Sequence, residues 1–266
     1  MNLKALVAAG ALLATQSFAI VGVGFHYAPG FGTKMKSAEP APIANNINLS
    51  HDGFDGMMQG FGFKAWIDLL PVIDIEATLN IQFGSYDASL WVENPADGAV
   101  NEIPLEIELG GTPFGKANPK FVAMTGDLSI TYPITTLPII RPYIGGGLSY
   151  HLNSFVLNQK FASSFIQPST FDEVAAIVLD QTMDNDAKSQ ALQAKGQEMK
   201  AQIQDKALDE GLNTSIGGHI LVGLRAKLPI IPIAAYGNFK YYIGGDYPSE
   251  VDPGNMTVEL GVGLAI

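Results

Sequence analysis

The 266-residue sequence predicts an all-β protein. The fold class is an antiparallel up-and-down transmembrane β-barrel of about eight strands, ten being possible, with a helical insertion in the third long loop. Three observations predict it. Eight segments alternate residue character with the period of a strand, so each has two distinct faces. The connections between these segments alternate long and short. The last segment, Met256 to Ile266, has one wholly apolar face. That face is Met256, Val258, Leu260, Val262, Leu264 and Ile266, backed by Thr257, Glu259, Gly261, Gly263 and Ala265. A sheet in lipid must close on itself, because an open edge leaves backbone groups without partners.

Composition narrows the function classes. The net charge of −11 argues against a nucleic-acid partner, which needs clustered Lys and Arg. There is no cysteine, so disulfides and thiolate metal sites are excluded. Residues 1–19 read as a secretory signal peptide. Lys4 supplies the positive start, Ala5 to Ala14 the apolar run, and Ser17-Phe18-Ala19 the small residues of a cleavage site. The run is about half the ~20 residues a helical span needs. The mature chain, 20–266, is expected to be one barrel.

Ile20 to Tyr27 is the first strand, with Val21, Val23, Phe25 and Tyr27 on one face. Pro29 to Gly56 is rich in Pro, Gly, Asn and Asp and reads as a surface loop. In the second strand, Gln59 to Leu69, Phe61, Phe63, Ala65, Ile67 and Leu69 oppose Gly60, Gly62, Lys64, Trp66 and Asp68. A short turn at Leu70-Pro71 leads into the third, Ile73 to Phe83. Its apolar Ile73, Ile75, Ala77, Leu79, Ile81 and Phe83 oppose Asp74, Glu76, Thr78, Asn80 and Gln82. Ser85 to Asn118 is a second surface segment, within which SLWVEN and IPLEIEL can form a hairpin beyond the membrane. Their entry into the membrane would give ten strands.

The fourth strand is Val122 to Tyr132, with Asp127 on its inner face. The fifth is Pro142 to Leu152. Residues 153–213 break the pattern and are mostly helical in period. Thr170 to Glu173 has capping-box spacing, followed by Phe171, Val174, Val178 and Leu179 at helical intervals. A polar helix is expected at Asp186 to Leu208, with Leu192, Met199 and Ile203 as a thin stripe. Structureless loops of this length are uncommon, so the insertion is expected to fold on the surface or into the mouth. Ile216 to Leu228 and Ile233 to Ile243 are strands six and seven. Gly244 to Asn255 is the last surface loop.

The chain thus resembles the small bacterial outer-membrane β-barrels of the OmpA-like and OmpW-like kind. The resemblance covers the whole mature chain and rests on strand pattern. It implies long loops outside, proline turns in the periplasm, and recognition of Met256 to Ile266 by the barrel assembly machinery. Family members usually end in an aromatic residue; this chain ends in Ile266. An outer membrane implies a diderm bacterium.

The face assignments put Lys64, Glu76, Asp127, Arg225, Lys240 and Glu259 in the lumen. They form either a charged constriction or a packed polar core, since eight strands enclose a space that side chains can fill. His26, His151 and His219 also face inward, but from opposite sides, which argues against a metal site. Asp52, Asp55, Asp246, Glu250 and Asp252 lack the ordered spacing of a calcium loop. No G-x-S-x-G, H-E-x-x-H or phosphate loop is present, so neither catalysis nor a cofactor is expected. Tyr27, Phe83, Tyr132, Tyr150 and Tyr241 fit interfacial girdles. The expected function is a non-enzymatic surface platform in contact with outer-membrane lipid. The alternatives are a narrow porin-like channel for small or hydrophobic solutes, with Phe171, Val174, Val178 and Leu179 lining an apolar pocket, and a soluble ligand-binding barrel.

Overall fold

A computed structural model describes residues 21–44, 46–68, 73–93, 98–105, 107–108, 116–134, 140–154, 168–180, 182–184, 187–188, 190–191, 194–195, 198, 212–227 and 231–265. The signal-peptide reading lies outside them. Eight long strands form the barrel: β1 (Val21–Tyr27), β2 (Gln59–Ile67), β3 (Asp74–Ser85), β4 (Lys120–Pro133), β5 (Ile140–Ser154), β6 (Leu212–Lys227), β7 (Ile233–Gly244) and β8 (Met256–Ala265). Each pairs antiparallel with the next. β8 closes on β1, from Gly22 opposite Ala265 to Tyr27 opposite Leu260. The barrel therefore has no open edge.

The barrel has eight strands, not ten. ASLWVE (Ala88–Glu93) pairs with VNEIP (Val100–Pro104) outside the barrel, sharing only Ile103 and Pro104 with the expected IPLEIEL arm, whose Ile107–Glu108 pairs instead with Lys116–Ala117. ASLWVE joins Ile47–His51 and Ala38–Ala44 in a separate four-stranded sheet. Proline and glycine density made 29–56 read as a plain loop. Within it, Ile47 and Leu49 alternate with Asn48 and Ser50, which suffices for a strand once ASLWVE lies alongside. A three-stranded sheet of Val251–Asp252, Lys34–Met35 and Phe54–Asp55 lies at the same end.

The insertion is shorter than its helical period suggests. β5 and β6 stay paired up to Ser154 opposite Leu212, so residues 153–154 and 212–213 belong to the barrel sheet. A helix, α1, spans Pro168–Leu179. It starts at Pro168, two residues before Thr170, so Thr170 lies inside the first turn and is buried. Proline suits the first helical position because its missing N–H would have no partner there. Among 187–198, the described residues are helical. Leu192, Met199 and Ile203 lie outside the described residues.

Two apolar cores occupy the long-loop end. One closes the barrel mouth with Met35, Met58, Tyr86, Ala88, Phe121, Ala123 and Val251. The other, above it, packs Ile47, Leu49, Leu90 and Val92 of the four-stranded sheet against Ala175 and Val178 of α1. Leu105 touches both. The strands and helix beyond the barrel thus form a folded head.

Candidate functional site: the barrel lumen and its head

Exposure in the barrel is inverted relative to a water-soluble fold. Leu128, Ile220 and Val262 are 56%, 57% and 62% exposed, while Glu76, Lys240 and Glu259 are 0% exposed. Residues on one face of each strand share a side of the sheet, so the alternation read from sequence sets this directly. An apolar wall this extensive is stable only against hydrocarbon. The chain is a membrane-spanning β-barrel. Among the described residues no helix is long and apolar enough to cross a membrane.

The structure brings all six lumen charges together, and the contacts alternate in sign. Asp127 and Lys240 lie 2.7 Å apart, Lys240 and Glu259 2.7 Å, Glu259 and Lys64 3.4 Å, and Lys64 and Glu76 2.9 Å. Glu76 then pairs with Arg225. From Arg225 the chain runs to Asp68 at 2.9 Å, on to Arg141 at 3.3 Å and to Asp74 at 3.1 Å. It descends from mid-lumen to the short-turn mouth. A buried charge without a partner costs several kcal/mol, so each member is held by its neighbours. Neutral groups add to the mid-lumen part of the chain. Asn80 and Asn238 donate to Glu259 at 2.9 and 2.7 Å, and Tyr242 donates to Asp127 at 3.0 Å.

The sequence reading did not include Asp68, Asp74 and Arg141 in this chain. Asp74 and Asp68 were legible as inward-facing positions. Arg141 was not, because it falls just before Pro142, where the sequence reading starts the fifth strand. β5 starts at Ile140, and Arg141 and Arg225 are register partners.

Aromatic rings fill the space beside the charges. Trp66 and Tyr143 are buried and flank the Arg225 guanidinium at 4.8 and 5.4 Å. Gly22 makes room for Trp66: a Cβ there would come within 2.1 Å of the indole.

The three inward histidines separate into two places. His26 bonds Tyr236 at 3.0 Å and Asn80 at 2.6 Å, beside Glu259. His219 and His151 lie on the Asp127 side, their rings 6.0 and 5.4 Å from Tyr242. Among the described residues no His, Asp and Glu group has the arrangement of a metal site. Sequence inspection also passed over a Ser–His–Asp grouping. His219 Nε2 lies 2.8 Å from Ser129 Oγ, and its Nδ1 lies 3.7 Å from Asp127. Ser149 bridges the latter two at 2.8 and 2.7 Å. Ser129 is 0% exposed, so this is a hydrogen-bonded core grouping with no face for a substrate.

Of the apolar residues assigned to a pocket under the insertion, Val174 is buried and Val178 packs on the head sheet. The side chains of Phe171 and Leu179 lie outside the described residues. Two of the loop acids flank lysines at the small three-stranded sheet: Asp55 pairs with Lys34 at 2.8 Å, and Asp252 with Lys36 at 3.7 Å. Pairing with Asp55 raises the Lys34 pKa. In the head, burial lowers the pKa of His51, opposed by the nearby charges of Glu250 and Asp52.

No protein-family model matches the sequence, and no curated protein matches it. Solved structures similar to this chain include the outer membrane protein OprG of Pseudomonas aeruginosa, at 12% identity and TM-score 0.41, covering 92% of this chain and 95% of that one. Neisserial surface protein A is 15% identical, with TM-score 0.40 and coverage of 92% and 97%. Ail, the attachment invasion locus protein of Yersinia pestis, is 10% identical, with TM-score 0.40 and coverage of 92% and 97%. The membrane assignment stands on the inverted exposure of the chain itself.

Proposed function

We propose that this chain is a closed, non-enzymatic barrel of a diderm outer membrane that holds a folded acidic head at the cell surface. The observation that carries the reading is the filled lumen. Its charges are consumed by one another, and its long-loop mouth is closed by an apolar core. Mutually paired lumen charges and an apolar core at the mouth weigh against the porin-like alternative. The outer wall meets lipid acyl chains, and Met256 to Ile266 is the segment offered to the barrel assembly machinery.

Charge distribution supports the platform reading. The four long connections (28–58, 86–119, 155–211 and 245–255) hold 21 acidic and 8 basic residues. The barrel strands and short turns are nearly balanced. The protein's net charge is therefore carried at the end that meets the medium. The test is single-channel conductance of the refolded protein in a planar bilayer, beside Glu76→Ala and Lys64→Ala. The expected result is a silent wild-type barrel with heat-modifiable gel mobility. A steady current that changes with either substitution would establish a pore instead.

A further inference from the structure

The head sheet has two edges built in opposite ways. Ala38–Ala44 contains Pro40 and Pro42 and pairs with its neighbour through register shifts. Prolines and bulges are how natural sheets prevent further pairing. The opposite edge, Val100–Pro104, is regular over its whole length. Among the described residues nothing pairs with its outer side.

The hydrogen-bond phase of this edge follows from one contact. The Leu105 N–H donates to the Ala88 carbonyl at 2.8 Å. Antiparallel ladders alternate, so Ile103 and Asn101 also bond inward to Ala88–Glu93. Val100 and Glu102 then point their N–H groups away from the sheet. The carbonyls of Val100, Glu102 and Pro104 point the same way. Pro104 falls where its missing N–H costs the sheet nothing. The five-residue edge thus offers two donors and three acceptors in strand geometry.

Side chains define what could pair there. Ile103 turns to the apolar core under α1. Glu102 and Val100 turn to the other face, where Val100 is the register partner of Glu93. Glu93, Val100 and Glu102 are all exposed. A guest strand would set alternate residues beside Glu102, with Glu93 one strand further in on the same face, on a head whose acids outnumber its bases. Opposite charges across a strand pair stabilise it and like charges oppose it.

We infer that the Val100–Pro104 edge is a docking site for an extended basic polypeptide segment, which adds to the head sheet as a fifth, antiparallel strand. This rests on the platform reading and names the chemistry of its partner. Main-chain bonds supply strand addition, and the alternate side chains select the guest.

The test uses the full chain in lipid nanodiscs and an acetylated, amidated Lys-Val-Lys-Val-Lys peptide. In the antiparallel register the lysines share the face of Glu102, and their N–H groups meet the edge. Saturable binding is expected, weakening at least about tenfold when the middle lysine is N-methylated. N-methylation of the two valines should leave it unchanged. Val100→Pro, which removes one edge donor, and Glu102→Lys should each weaken it. Absence of saturable binding overturns the site. So does binding indifferent to N-methylation and to Val100→Pro, which would be diffuse attraction of a cation to an acidic surface. Conductance reads the platform separately. A silent barrel that ignores the peptide overturns the edge alone, whereas an open pore overturns the platform.

Discussion

The lumen and the head treat charge in opposite ways. In the lumen, Asp127, Lys240, Glu259, Lys64 and Glu76 succeed one another with alternating sign, and each is buried. In the head, lysines and carboxylates pair at the surface, as in Lys34 with Asp55, and acids outnumber bases. Burial forces neutralisation in the first region; water removes that demand in the second. A charge is therefore structural in one place and free to serve recognition in the other.

The strongest way to break this comparison is to remove one cation from each region. Lys240→Met leaves Asp127 and Glu259 without their shared partner and should cost about 3–5 kcal/mol. Urea titration of the refolded barrel, followed by heat-modifiable mobility, would measure it. Lys34→Ala, at a solvated pair, should leave the same titration unmoved. Equal effects would mean the lumen is wet.

A second change separates the cores. Leu49→Ala deletes a buried side chain of the head sheet and should cost about 3 kcal/mol locally. Hydrogen exchange should rise across Ile47–His51 and α1, while the barrel strands keep their protection. Exchange that rises in β1–β8 as well would show one cooperative unit.

The smallest effect sharpens the picture by pH. His51 is buried, and neither ring nitrogen has a hydrogen-bond partner among the described residues. Its folded pKa lies below its ordinary value of 6.5, so the unfolded head binds the proton more readily. The contribution of neutral His51 is complete above that ordinary value. It fades as pH falls through it towards the folded value. Protection at Ile47–His51, measured against the intrinsic exchange rate at each pH, should fall as pH drops from 7.5 to 5.5. In His51→Phe that added pH dependence should vanish; if it persists, another group is responsible.

Much of the barrel was legible in the sequence because strand alternation is local. Lys64, Glu76 and Glu259 could be assigned inward from their own neighbours in sequence. The sign-alternating chain was only partly legible. Its links at the short-turn mouth depend on β5 reaching back through Pro142 to Arg141, which is decided by pairing with β6. The head was least legible. Its sheet joins strands from two different long loops, and Ile47–His51 has too little alternation of its own to show without Ala88–Glu93 beside it. Likewise, α1 covers a sheet surface that exists only after those loops meet.

The glycines where β1 meets β8 bear on how the barrel is assembled. Gly24 faces Gly263, and Gly22 and Gly261 face Ala265 and His26. This seam is lined chiefly by its neighbours. Trp66 from β2 reaches over Gly22 and Gly263, and Tyr236 from β7 reaches over Gly24 and Gly261. The two rings meet edge to face, 5.8 Å apart. The first and last strands therefore take their inner wall from the second and the seventh. The closing seam is thus held from four strands rather than two, with the indole and the phenol as its keystone.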